Sequence, residues 1–395
     1  MIRKTKIREV CKINGLTYSP KENWEFVNYL DTGNIINNKI ESIQYIDPIV
    51  EKLPSRARRK VKNNNIIYST VRPNQKHFGI IKSQPEHFLV STGFAVLDVN
   101  ENYLNPYYLY YLLTQNEYID TLQAIAEQST STYPSIKPSD IGDLNIEFPT
   151  LKIQNKIVNI LNTIDKKIEL NEEINKNLEQ QAEAFFHSLF IENANPTWKD
   201  GVLSDLGTVV AGGTPSKTMP KYYSEQGIAW ITPKDLSLNK SKFISRGEID
   251  ISELGFSKSS ATKMPTGTVL FSSRAPIGYI AIAANEVTTN QGFKSVVPNE
   301  NVGTAFMYYL LKFLLPTIEG MASGSTFKEI SGAGMKSVPV VIPDNETIEK
   351  FNAFCTPIFQ QQEVLEAENS RLADIRDVLL PKLMSGELDV SDINL

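Results

Sequence analysis

The chain says the same thing twice, and that limits its fold more than any other feature. Ser131–Pro149 reads STYPSIKPSDIGDLNIEFP, and Ser325–Pro343, 194 residues later, reads STFKEISGAGMKSVPVVIP. Earlier segments also pair. Tyr29–Ile35 (YLDTGNI) matches Trp230–Leu236 (WITPKDL), Ile67–Pro73 (IYSTVRP) matches Leu270–Pro276 (LFSSRAP) at 202 or 203, and Gly93-Phe94 matches Gly292-Phe293. An offset that drifts by a few residues means small loop insertions within a shared unit. Units of about 190 residues far exceed a solenoid repeat, so the chain is a duplicated module rather than an array.

Each module runs into a helical seam. Ile157, Leu161, Ile164, Ile168, Asn171, Asn175, Leu178, Ala182, Phe185 and Leu189 follow a 4-3 spacing. Phe351, Cys355, Ile358, Gln362, Leu365, Asn369, Leu372, Arg376, Leu379 and Leu383 repeat it with polar interruptions. Such spacing predicts helices that pack lengthwise on one another. At 1.5 Å per residue, roughly 40 residues make a rod of about 60 Å. Asn171 or Asn175 facing Asn369 either fixes the register or sits at the wet edge of the seam. Pro357 is expected to kink the second helix and Pro381 to end its regular part.

A whole module separates the two helices in sequence, so antiparallel pairing would place one module at each end of a dumbbell. The expected fold is α+β: two similar modules of twisted β-sheet with short helices, separated by two long antiparallel coiled-coil helices, with approximate twofold symmetry. The expected limits are 1–150 and 192–344 for the modules, 151–191 and 345–385 for the helices, and 386–395 for a tail. Strands are expected over Asn65–Val71, Phe88–Val99, Gly267–Ser272, Tyr279–Ala283 and Ser337–Ile342, with short helices over Pro106–Thr114 and Thr304–Leu314.

Composition excludes more than it specifies. At 395 residues, 41% hydrophobic and 22% charged, the chain has the makeup of a multidomain globular protein. No apolar run is long enough to span a membrane, and the N-terminal segment lacks the apolar core of a signal peptide, so a cytoplasmic location is expected. Cys11 and Cys355 match no metal spacing and read as buried, reduced thiols, and the three histidines are too scattered to form a metal site. The net charge of -5 conceals local basicity. Lys52–Pro85 and Leu254–Asn285 contain no Asp or Glu, whereas acids gather in Glu363–Asp392. One face suited to phosphates and another suited to a different partner would account for this.

Motifs of nucleotide hydrolysis, zinc proteolysis and serine hydrolysis are missing. Ala211-Gly212-Gly213-Thr214 lacks the context of a nucleotide loop and reads as a turn beside a sheet. Asn105-Pro106-Tyr107-Tyr108 is similar to the Asn-Pro-Pro-Tyr signature of adenine-N6 methyltransferases, but the second proline is missing and no Gly-rich cofactor loop precedes it. A helix capped by Asn105 with Pro106 in its first position fits better.

Over essentially its whole length the chain resembles the specificity subunit of type I restriction-modification systems. The resemblance rests on Arg371–Val390 (RLADIRDVLLPKLMSGELDV), GGTPS at Gly212–Ser216, WITPKDL, SSRAPIG at Ser272–Gly278, NQGFK at Asn290–Lys294 and GSTFKEI at Gly324–Ile330. It implies a non-catalytic reader of double-stranded DNA. Each module would be a target-recognition domain for one half of a split, asymmetric site, and the helices would set the unread gap. Two methylation subunits carrying S-adenosylmethionine would dock on the helices, and restriction subunits using ATP and Mg would join them. This chain itself would hold no cofactor and no metal.

Arg72 and Arg274, read as equivalent, either contact DNA, taking two acceptors on a guanine edge or spanning a phosphate, or form internal ion pairs that hold their loops. Ser69, Thr70, Ser272 and Ser273 are candidate donors to phosphate. Arg56, Arg58, Arg59, Lys60 and Lys62 form a run suited to the DNA backbone, with Lys76, Lys234, Thr326 and Lys328 as further candidates. Tyr107, Tyr108, Tyr308 and Tyr309 read as core rather than as stacking platforms. The rival functions are a self-contained adenine-N6 DNA methyltransferase and a coiled-coil scaffold that binds protein partners.

Overall fold

The computed structural model describes residues 2–129, 133–324 and 328–393. The chain divides into two compact units, Met1–Lys166 with Leu372–Leu395, and Lys167–Arg371. It is α+β, and two long helices, Leu151–His187 and Asn345–Ser385, each contribute residues to both units.

The first unit holds two four-stranded sheets. One is fully antiparallel, in the order Cys11–Ile13, Phe94–Val99, Ile66–Ser69, Phe78–Ile80. The other runs Gln44–Ile46, Val27–Leu30, Phe88–Ser91, Ala57–Lys60, with one parallel pair at its centre. The expected single strand Phe88–Val99 is therefore two strands in different sheets, separated at Thr92-Gly93. The helix Pro106–Leu113 starts as its sequence indicates: the Asn105 side chain accepts from the backbone amides of Tyr107 and Tyr108, and Pro106 follows. Tyr108 is fully buried. Ile157, Val158 and Leu161 share this unit's core with Leu379, Leu380, Leu383 and Val390, and Asp165 meets Arg376 at 3.0 Å, so the helices run antiparallel here.

The second unit centres on a five-stranded sheet in the order Gly207–Ala211, Lys294–Pro298, Val269–Ser273, Ile277–Ala283, Phe243–Ile244, antiparallel except for its last pair. Leu178, Ala182, Phe185 and Phe186 pack with Phe351, Cys355, Ile358 and Phe359, again antiparallel. Asn171 donates to Asn369 at 2.8 Å and to Glu368 at 2.7 Å, and Gln362 donates to the Asn175 carbonyl at 3.2 Å. Of the two alternatives for Asn171, the buried polar layer is the one formed. Tyr308 and Tyr309 are core residues, and both cysteines are free and buried, which pushes their thiols up to about 12.

Pro381 does not end the helix as expected. The distal helix continues from Asn345 to Ser385 through Pro357 and Pro381. An interior proline costs about 3 kcal/mol. Each here is flanked by apolar side chains packed in a core, Cys355, Ile358 and Phe359 in one case and Leu379, Leu380 and Leu383 in the other. Burial worth about 1.5–3 kcal/mol per side chain outweighs the lost hydrogen bond.

Candidate nucleic-acid interface

The Ile67–Pro73 and Leu270–Pro276 motifs form one loop frame built twice, once in each unit. Thr70 N–H and its hydroxyl both donate to the Gly93 carbonyl, at 2.8 and 2.9 Å, and Ser273 does the same to Gly292, at 2.7 and 3.1 Å. The Ile136 amide donates to the Thr70 carbonyl, and that of Ile330 to Ser273. Val71 bridges Ser135, and Arg274 bridges Glu329. The register is thus 203 without a gap, and it corrects the expected equivalence of the two arginines. Arg274 corresponds to Val71. Arg72, at φ 46°, corresponds to Ala275, at φ 53°.

Their surroundings differ accordingly. Arg72 lies over the Tyr133 ring at 4.8 Å, while its backbone amide donates to Pro134. Arg274 forms an ion pair with Glu329 at 3.3 Å, the loop-holding alternative, and keeps a side chain 38% exposed. Glu329 also meets Lys294 at 3.6 Å, a buried cation that the motif NQGFK contained but its chemistry did not single out.

The expected hydroxyl donors are frame, not surface. Ser69, Ser272 and Ser273 are buried, and their hydroxyls donate to Val71, Pro276 and Gly292; that of Thr70 donates to Gly93. Unpaired backbone carbonyls inside a loop are costly, and these side chains satisfy them. They are not available to phosphate.

The basic run divides as well. Ala57–Lys60 forms an outer strand of its sheet. Lys60 pairs with Glu22 beside Trp24, and Lys62 pairs with Asp98 at 2.9 Å. The Arg59 Nε is buried without a hydrogen-bond partner, and burial lowers its pKa. Arg56 is exposed and Arg58 half-buried. Lys76 lines a cleft with Tyr110, Tyr111, Asp165 and Arg376, so it belongs to the helix-facing side of its unit rather than beside Arg56.

In the second unit a cleft of about 610 Å³ opens beside the loop, lined by Thr214, Trp230, Lys234, Arg274, Asn290 and Gln291 among others. Gly212 and Gly213 immediately precede Thr214 in the chain, where only glycine fits: a Cβ would stand 1.9 Å from the Asn290 carbonyl oxygen and 2.3 Å from the Ala261 nitrogen, respectively. Trp230 donates to the Gly213 carbonyl at 3.0 Å. Lys234 pairs with Glu248 at 2.5 Å, Lys328 is exposed, and Thr326 lies outside the described residues.

Residues 2–180 and 195–370 match the type I restriction modification DNA specificity domain. The chain belongs to that family. It is 26% identical to the HindI specificity subunit of Haemophilus influenzae over 91% of this chain and 94% of that one. It is 41% identical to the MjaIX specificity subunit of Methanocaldococcus jannaschii, over 39% of this chain and 36% of that one. The crystal structure of a type I restriction-modification system S subunit from M. genitalium has the same fold, with a TM-score of 0.58 at 18% identity over 97% of this chain and 96% of that one. Among the described residues no His, Cys, Asp and Glu cluster could hold a metal, and no helix is long and apolar enough to cross a membrane.

Proposed function

We propose that this chain is the DNA-specificity subunit of a type I restriction-modification complex, reading a split, asymmetric site with one half per module. The observation that carries this is the family match over both modules, together with a loop frame present in each. The helical pair sets the unread gap and docks two methylation subunits, which restriction subunits then join. S-adenosylmethionine, ATP and Mg act on those partners, and this chain catalyses no step itself. Arg56, Arg58, Arg72, Arg274 and Lys328 are the proposed DNA contacts. The methyltransferase reading is not favoured, because the Asn105 side-chain oxygen Oδ1 that would take a base amine is engaged by two backbone amides.

Methylome sequencing of a host expressing the chain with its methylation partner tests the reading. The expected result is one bipartite motif with a fixed gap. A contiguous motif, or methylation unchanged when this chain is omitted, contradicts it. DNA affinity should fall linearly in log salt. Deleting seven residues from the central helix and the facing seven from the distal helix should shorten the gap by about three base pairs, since seven residues span about 10 Å.

A further inference from the structure

Resting on that reading, we propose that Arg274 reads a guanine edge in the second module's half-site and that Glu329 is the residue that positions it. The Glu329 carboxylate stands between two cations, Arg274 at 3.3 Å and the buried Lys294 at 3.6 Å. A phosphate approaching Arg274 would meet that negative charge. A guanine edge carries no charge and presents two acceptors, O6 and N7, which a guanidinium fork matches when its orientation is fixed.

The loop that carries the arginine is held from three sides. Arg274 and Glu329 are bridge partners, the Ile330 amide holds the Ser273 carbonyl, and Ser273 holds Gly292 through both its amide and its hydroxyl. Glu329 engages the NH1 end of the guanidinium, and no other hydrogen bond of that side chain occurs among the described residues. A fork held in this way loses little freedom on binding. The cleft it lines also carries Asn290 and Gln291, whose side-chain oxygens accept from the Gly292 amide and the Thr214 hydroxyl, and the cations Lys217 and Lys234. Arg72, stacked on Tyr133, forms no ion pair among the described residues and so has no such filter there.

The test uses the complex of the full chain with its methylation partner. DNA binding is measured on the wild-type motif and on duplexes with each guanine of that motif replaced in turn. Arg274→Lys keeps the charge but loses the fork, and Glu329→Gln keeps the shape but loses the carboxylate charge. In Arg274→Lys, discrimination at one guanine of one half-site should fall about tenfold or more, with the other half, the gap and the salt slope unchanged. Glu329→Gln should weaken the same discrimination and raise affinity for unrelated DNA. Unchanged discrimination at every guanine in both variants overturns the proposal, as does a salt slope reduced by about one contact in Arg274→Ala, which removes the charge and would mark a phosphate ligand. Wild-type complex that binds no specific DNA would instead overturn the proposed function.

Discussion

The two modules share a loop backbone but place their arginine one residue apart on it. In the first, Arg72 occupies the left-handed position and stacks on Tyr133; in the second, Ala275 takes that position and Arg274 precedes it, paired with Glu329. The same divergence holds where each module meets the helices. In the first unit Tyr111 donates to Asp165 at 2.5 Å, and Asp165 pairs with the partly exposed Arg376. In the second, Tyr309 donates to Glu179 at 2.8 Å, and Glu179 pairs with the buried Lys242 and with Lys312. Lys242 also donates to Gln362 at 2.6 Å, and the Lys242 and Phe243 amides donate to Glu366 at 2.9 and 3.1 Å. An outer strand of the second module's sheet is thereby clasped to both helices. Duplication preserved the hydrogen-bonded frame, while the charged groups attached to it were free to change.

The largest effect that would sharpen this contrast concerns those anchors. Lys242→Ala removes the buried cation from half-buried Glu179, leaving it with Lys312, and should cost the second unit about 1.5–3 kcal/mol. Arg376→Ala, removing a partly exposed pair, should cost the first unit about 1 kcal/mol. Chemical denaturation followed by unit-specific hydrogen exchange measures both, and equal losses would break the comparison.

The same anchor sets a pH dependence. Burial pushes the Glu179 carboxyl up, but Lys242 and Lys312 outweigh it and hold it at about 2, below its ordinary 4.5. A depressed folded-state pKa stabilises fully above the unfolded value and is lost as pH falls through the folded one. The stability advantage of wild type over Glu179→Gln should therefore be complete above about pH 4.5 and shrink toward pH 2, as read from melting temperatures across that window. Glu366, raised by burial, acts in the opposite direction and is present in both proteins.

Next come the reading loops. Arg72→Ala and Arg274→Ala should each weaken recognition by about 1–3 kcal/mol, at different half-sites. Methylome profiles showing both variants relaxed at the same half would break the one-module, one-half assignment. The smallest effect is expected from Lys62→Ala, whose pair with Asp98 is half exposed and should contribute about 0–1 kcal/mol to stability.

The helices were largely legible because their 4-3 spacing reports burial directly. Ile157, Leu161, Ala182, Phe351 and Cys355 are buried as the pattern requires. The Asn105 cap was legible because a cap is a local interaction. Site chemistry was far less so. Ser272 and Ser273 beside an arginine look like phosphate donors in one dimension, whereas their acceptors, Pro276 and Gly292, become evident only in the folded loop. Lys294 and Glu329 lie 35 positions apart, and no spacing rule links them. Pro381 misled because propensity is a local term and core packing is not.

By itself, the sequence determined that a module is duplicated and that each copy feeds a long packed helix, since periodicity and self-similarity are properties of the chain. Only the tertiary structure decided which residue of one copy stands where in the other, and which charges are already spent on internal partners. Both questions turn on contacts between residues distant in sequence, which form only when strands and loops come together.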